Sequence, residues 1–219
     1  MALSTYRAAS LAPWTDEIFT FVFCSEPFGW MWPLIVSHGG YFGQSLGHIS
    51  VGYYLLIKAL FELFGAHLIL ARLASAVGHV LTACLVYRLF DRAGLRRPAG
   101  VVAALVLIHP ALLWHAGDAR WYSLLLASHA ASLWLLLSPD FPRRIWLWIL
   151  VTALGAYLFH YSLIFIGCEI LFVLLHRPSA RKYVPVLLLL LVPEFILLHR
   201  AYESAGATRV LCVREDLRF

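Results

Sequence analysis

Long apolar blocks separated by short polar breaks make up most of the chain. Segments such as "VVAALVLIHPALLW" and "VPVLLLLLVPEFILL" are apolar on every side. That is the pattern of a helix enclosed by lipid or protein, not of a helix with one wet face. Reading from break to break predicts spans near 69 to 90, 99 to 115, 121 to 138, 145 to 159, 161 to 176 and 183 to 199. Each approaches the roughly 20 residues that cross a bilayer. A transmembrane β-barrel needs alternating segments of about ten residues, which these blocks are not. The expected fold is an all-α polytopic membrane protein of about six transmembrane helices, with juxtamembrane amphipathic helices on its outer face.

The breaks orient the spans. Three are basic: "RLFDRAGLRRP" with Arg88, Arg92, Arg96 and Arg97, "DFPRR" with Arg143 and Arg144, and "RPSARK" with Arg177, Arg181 and Lys182. The positive-inside rule makes these cytoplasmic. The intervening "WHAGDARW" and "YLFHYS" then face outward, as does everything before Ile69. By the same parity "HISVGYYLLIKALFELFG" does not cross. Its Lys58 and Glu62 stand at i and i+4, and it reads as an amphipathic helix in the outer interface. The preceding "FVFCSEPFGWMWPLIVSHGG", with Glu26, Pro27, Pro33, Trp30 and Trp32, reads as an interfacial or re-entrant segment. This divides the chain into an outer region at 1–68, a transmembrane helical domain at 69–200 and an outer tail at 201–219.

Composition agrees. The 219 residues are 62% hydrophobic and 13% charged, with a mean hydropathy of +0.80, far from soluble usage. The net charge of +5 sits in short clusters between apolar blocks, so no nucleic acid is expected as a partner. Cys24, Cys84, Cys168 and Cys212 are too widely spaced for a CxxC site. Cys84 and Cys168, inside apolar blocks, are expected to be small buried hydrophobes. Residues 1 to 14 lack the apolar core of a cleavable signal peptide.

With this topology Asp16, Glu17, Lys58, His115, Asp118, Arg120, Tyr122, His160 and Tyr161 collect at the outer membrane face. Charge near a membrane is costly unless it pairs, snorkels or serves a site. Each has an ordinary reading: Asp118 as a helix cap, Arg120 reaching headgroups, the histidines as interface packing, Asp16 and Glu17 as a solvated loop pair. Their concentration on one side is what suggests a site.

The order "WTDEIF", "HISVGYYLLIKALFELFG", "ARLASAVGHVLTACLVYRLF", "HPALLWHAGDARWYSLLLASHAASLWLLL" and "YLFHYSLIFIGCEILFVLL" resembles the polyprenyl-phosphate-sugar-dependent membrane glycosyltransferases of the C-type superfamily. It is most similar to the bacterial family 39 group, related to protein O-mannosyltransferases. The resemblance runs from Trp14 to Arg200. Asp16 and Glu17 match the family's Asp-Glu pair in the first outer loop. His48, Tyr53 and Tyr54 match its histidine and tyrosine pair, but Ile49, Ser50, Val51 and Gly52 stand where the family has two prolines. Asp118, Ala119, Arg120, Trp121 and Tyr122 match an acidic–Ala–Arg–x–Tyr run, with Asp for the commoner Glu. His160 and Tyr161 match a histidine and tyrosine at the outer end of a later hairpin.

The resemblance implies transfer of a sugar from a polyprenyl-phosphate donor to a hydroxyl of an acceptor lipid, glycan or protein. The expected setting is the bacterial inner membrane, with the active face periplasmic. Asp16 is expected as the base, a role suited to a partly desolvated carboxylate beside a second one. Glu17 is expected to orient the acceptor, support Asp16, or share a divalent cation with it. Arg120, with its bidentate fork, is expected on the departing phosphate, helped by Lys58 and His160. His48, Tyr54, Asp118, Tyr122 and Tyr161 are expected in support. Two other readings stand beside it: a transporter or flippase fragment, in which the intramembrane acids Glu169 and Glu194 are the principal residues, and a non-catalytic membrane subunit. Family members carry a helix before the Asp-Glu pair and further helices after the last block here, so the chain is expected to be a truncated member.

Overall fold

The computed structural model describes residues 15–37, 40–41, 44–45 and 51–199. Its elements are α1 (Thr15–Ser25), α2 (Phe28–Ser37), a two-residue antiparallel ladder of β1 (Gly40–Tyr41) with β2 (Gln44–Ser45), α3 (Val51–Phe64), α4 (Leu68–Arg92), α5 (Arg96–Ile108), α6 (Pro110–Gly117), α7 (Tyr122–Leu136), α8 (Ile145–Leu158), α9 (Ser162–His176) and α10 (Pro178–His199). The first six residues of α10, Pro178–Tyr183, are 3-10 helix. Among the described residues, α4 and α10 are long and apolar enough to cross a membrane. The pair α5–α6 makes a third if its two halves form one span. Helices α7, α8 and α9 are apolar but shorter.

Helix boundaries follow the apolar blocks, but the block between 99 and 115, read as one span, is divided. There the chain bends by 55° between α5 and α6. Pro110 is the cause. It has no N–H for the helical ladder, and it holds His109 in an extended conformation (φ −59°, ψ 123°) from which α6 restarts with proline in its first turn.

The helices meet through small side chains, as helices do where lipid supplies no hydrophobic drive to associate. On α4, Ala71, Ser75, Ala76, Gly78, Thr82 and Ala83 are buried. A Cβ on Gly78 would lie 2.9 Å from the backbone N of Leu124, so α4 and α7 are in backbone contact there. The Thr82 hydroxyl donates to the Gly78 carbonyl at 2.8 Å. Large apolar groups including Val101, Ile108, Leu150, Ile164, Leu171 and Leu189 point outward, an arrangement suited to lipid. Cys84 and Cys168 are on this exposed surface and are not buried as expected, because their helices turn those faces away from their neighbours.

Glu169 on α9 is the principal polar group inside the bundle. Its Oε2 accepts hydrogen bonds from Ser132 of α7 (2.5 Å) and from Trp148 Nε1 (3.1 Å) and Thr152 Oγ1 (3.3 Å) of α8. Three helices are thereby joined at one carboxyl oxygen.

The bundle has two chemically different ends. At one, Arg92 donates to the carbonyl of Trp134 (2.6 Å) with its guanidinium 4.6 Å from the Trp134 ring, Arg144 lies 5.5 Å from the same ring, and Arg177 donates to the carbonyl of Leu136 (3.3 Å). Arginines from all three basic breaks thus gather on the last turn of α7, whose carbonyls have no helical partners and whose dipole attracts cations. At the other end lie α1, α2, α3 and the 118–122 turn, around a core that includes Phe23, Met31, Tyr53, Tyr54, Ile57 and Trp121.

Candidate functional site

The second end holds most of the polar residues singled out from the sequence. Glu17, on the first turn of α1, is buried and faces α4. Arg72 donates from Nε to its Oε1 at 2.9 Å and from Nη2 to its Oε2 at 2.6 Å. The backbone N–H of Ala119 donates to Oε1 at 2.7 Å. One carboxylate therefore pins α1, α4 and the 118–122 turn together through a bidentate ion pair and a charge-assisted hydrogen bond. Asp16 is on the same helix; its side chain lies outside the described residues, as does the whole of His48. Arg72 escaped sequence reading. Its only signal was a cation four residues into an apolar block.

The 118–122 turn is held from several sides. The Ser75 hydroxyl donates to the carbonyl of Arg120 (2.8 Å), and the Arg120 N–H donates to the carbonyl of Asp118 (2.8 Å). Arg120 lies over the Trp121 ring at 4.7 Å. Burial lowers the pKa of its guanidinium from the ordinary value. Asp118 ends α6 in an extended conformation and is only 3% exposed. Burial, then the charge of Glu17, raise its carboxyl above the ordinary range, against the opposing pull of His115 and Arg72. His115 Nδ1 faces Asp118 Oδ2 at 3.6 Å.

Aromatic contacts connect this turn to the others. Trp121 meets Tyr53 edge-on (6.0 Å) and stacks on Phe159 (5.2 Å). Phe159 contacts His160 (4.7 Å) and Tyr161 (5.0 Å), and Tyr161 is exposed. The structure therefore brings Glu17, Asp118, Arg120, Tyr122, His160 and Tyr161 to one end. Tyr54 and Lys58 sit differently. Tyr54 is buried among Phe19, Phe23 and Tyr53, and burial raises its phenol. Lys58 is on the buried face of α3 and reaches out to exposed Glu62 at 2.5 Å. The outward face of α3 carries Leu56, Leu63 and Phe64 beside Glu62, so it is more apolar than an amphipathic helix on water would present. Beneath Tyr54, Cys24 donates to its carbonyl (3.7 Å), and burial pushes that thiol up to about 12, which makes it unreactive.

Beside this end an apolar groove of about 370 Å³ is lined by Gly52 and Leu56 of α3, Leu81 of α4, Leu124 and Ala131 of α7 and Leu158 of α8, among others. From Leu124 to Ala131 it descends about 10 Å along α7. Its upper wall is close-packed, since a Cβ on Gly52 would lie 2.9 Å from the carbonyl oxygen of Tyr157. Among the described residues no cluster of three or more His, Cys, Asp or Glu could hold a metal ion. No protein-family model matches the chain, and neither a curated protein nor a solved structure does.

Proposed function

We propose that the protein is a multi-pass membrane glycosyltransferase that moves a sugar from a polyprenyl-phosphate donor to an acceptor hydroxyl at the outer face of the membrane. The observation that carries this reading is the apolar groove running down from the end where Glu17, Asp118, Arg120 and His160 gather. A lipid-linked sugar needs both parts: a channel for its chain, and acids and cations for its head. The clustering of Arg92, Arg144 and Arg177 at the far end supports a cytoplasmic assignment for that end, with six crossings between. In this reading α5 and α6 count as one bent span.

Glu17, with both oxygens bonded to Arg72 and Ala119, positions the helix that carries Asp16. Asp16 takes the proton of the acceptor hydroxyl as its oxygen bonds to the anomeric carbon. The bond from that carbon to the phosphate oxygen breaks, its electron pair stays on the phosphate, and Arg120 compensates the charge. Any divalent cation would be held through Asp16. In purified protein given a radiolabelled polyprenyl-phosphate sugar, Asp16→Asn and Arg120→Ala each lower transfer by on the order of a hundredfold or more, with membrane insertion unchanged. Transfer by Asp16→Asn at the wild-type rate overturns the assignment.

A further inference from the structure

The end of the bundle opposite Glu17 and Arg120 carries more than half of the chain's basic residues. Its three basic breaks hold nine of the 17 lysines and arginines and, of the 12 acids, only Asp91 and Asp140. Neither acid cancels the charge around it. Asp91 lies 3.7 Å from Arg96 and Asp140 lies 3.7 Å from Arg144, both beyond hydrogen-bond reach, and all four side chains are exposed. A positive excess is left for groups outside the chain.

Two of these arginines share one ring. Arg92, from the last turn of α4, and Arg144, at the start of α8, lie 4.6 and 5.5 Å from the centre of the Trp134 ring, so their guanidinium carbons are no further apart than those two distances together. Arg92 spends one N–H, on Nη1, on the Trp134 carbonyl at 2.6 Å. A guanidinium has five. The Arg144 guanidinium makes no hydrogen bond among the described residues. Like charges gathered at one indole repel, and their attraction to the ring offsets only part of that. An anion whose oxygens accept from both removes the repulsion and uses the spare donors. The backbone beside Arg144 adds to the positive field, because α8 has no acid in its first turn and no side-chain cap.

The neighbours of the arginines select the kind of anion. Leu95 follows Arg92 by three residues, Leu137 follows Trp134 by three, and Trp146 and Leu147 come just after Arg144; all four are exposed, Trp146 at 58%. Trp146 meets Tyr183 edge-on at 5.4 Å, and Lys182 lies over the Tyr183 ring at 5.2 Å, so the mixture of rings and cations continues onto α10. A soluble anion would satisfy the arginines and leave these apolar groups in water. A phospholipid covers both, with its phosphate on the guanidinium groups and its glycerol and upper acyl chains against tryptophan and leucine. A zwitterionic head group would bring another cation to a place that already has an excess, which favours one with net negative charge.

We propose that this end of the bundle binds an acidic phospholipid of the leaflet around it, with the phosphate held by Arg92 and Arg144 at Trp134 and the chains against the exposed apolar first turn of α8. The proposal does not depend on the sugar-transfer reading, which concerns the opposite end.

The test is retention of lipid by the purified full-length chain. Delipidated protein in detergent is given phosphatidylglycerol or phosphatidylcholine with the same acyl chains, and bound lipid is counted by native mass spectrometry, with sn-glycerol 3-phosphate as a soluble competitor. Phosphatidylglycerol is expected to be retained on the order of tenfold more tightly than phosphatidylcholine. Arg144→Gln removes no hydrogen bond among the described residues and is expected to lower that retention by on the order of tenfold. Arg92→Gln with Arg144→Gln is expected to bring it to the phosphatidylcholine level; if that double variant does not fold, Arg144→Gln decides alone. Arg97→Gln with Arg181→Gln removes the same charge from exposed positions in the basic breaks and is expected to change retention by less than about threefold. Equal retention of the two lipids or wild-type retention in Arg144→Gln overturns the proposal. So does an equal loss in the Arg97 and Arg181 pair, which would show diffuse attraction without a seat. Displacement of phosphatidylglycerol by an equal concentration of glycerol phosphate overturns it as well, because the anion alone would then be what is recognised.

Discussion

Replacing Arg72 by methionine keeps an unbranched apolar stem and removes both hydrogen bonds to Glu17, at 2.9 and 2.6 Å. Glu17 is 1% exposed and, among the described residues, keeps only the Ala119 N–H, 2.7 Å from Oε1. Removing one partner of a buried ion pair costs about 3–5 kcal/mol, because the remaining charge stays desolvated. At roughly 2–4 °C per kcal/mol for a chain of this size, the apparent Tm in detergent should fall by on the order of 6–20 °C. Glu17→Leu with Arg72→Met should recover much of that loss, because a buried pair replaced by apolar groups of similar volume is often nearly neutral. The assay is fluorescence-detected thermal unfolding of wild type, both single variants and the double variant, read as a double-mutant cycle. Single variants that melt within about 1 °C of wild type, or losses that simply add in the double variant, would refute the clamp.

Three further outcomes are expected. In a cysteine-free background, Leu95→Cys, between Arg92 and Arg96, is labelled by an impermeant reagent only from the cytoplasmic side; labelling from outside reverses the topology. Gly78→Ala destabilises by about 1–3 kcal/mol, since its Cβ would sit 2.9 Å from the Leu124 backbone, whereas Gly100→Ala, with nothing within 4 Å, is neutral or stabilising. Equal melting shifts for the two would contradict the helix contact. Because Asp118 holds its proton more tightly folded than unfolded, its contribution is fully present below the ordinary 3.8 and is lost as pH rises through the raised value. Asp118→Asn therefore loses less stability than wild type on going from acid to neutral pH, and parallel Tm-against-pH curves would show otherwise.

Apolar runs revealed where helices begin and end, because a bilayer-facing helix has to stop where the sequence turns polar: 69 to 90 became Leu68–Arg92, and 145 to 159 became Ile145–Leu158. The same averaging missed the bend at Pro110. Hydropathy runs on through "IHPALL", while the backbone hydrogen bond that proline removes is invisible to it. It also hid Arg72, one cation within an apolar block, whose partner is 55 residues away and belongs to no periodic pattern. On α3 the Lys58–Glu62 spacing was legible, but which face turns inward was not. That is set by the aromatic core of α1 and α2, which takes the lysine's side of the helix and leaves Leu56, Leu63 and Phe64 outside. The carboxylate pair at the front of the chain shows the same limit. Successive residues on a helix point about 100° apart, so adjacency in sequence says nothing about a shared partner. Glu17 found its partners on α4 and the 118–122 turn.

Helix α4 connects these observations, since it carries an arginine near each end with opposite duties. Arg72 neutralises a buried carboxylate; Arg92 satisfies a carbonyl at the last turn of α7. Twenty residues of helix separate them, about 30 Å, which matches the hydrocarbon thickness of a bilayer. Between them the helix offers its neighbours the hydroxyls of Ser75 and Thr82, which donate to backbone carbonyls, the bare backbone of Gly78, and the ring of His79, whose Nε2 lies 3.3 Å from the Leu107 carbonyl oxygen. A helix that confines its full charges to the turns near its two ends is suited to standing upright in lipid. Arg72 then fixes Glu17, and through the Ala119 N–H the 118–122 turn, at that end of the helix. The acids and cations carried by α1 and by that turn are thus held at one end of the bundle, away from the arginine on the last turn of α7.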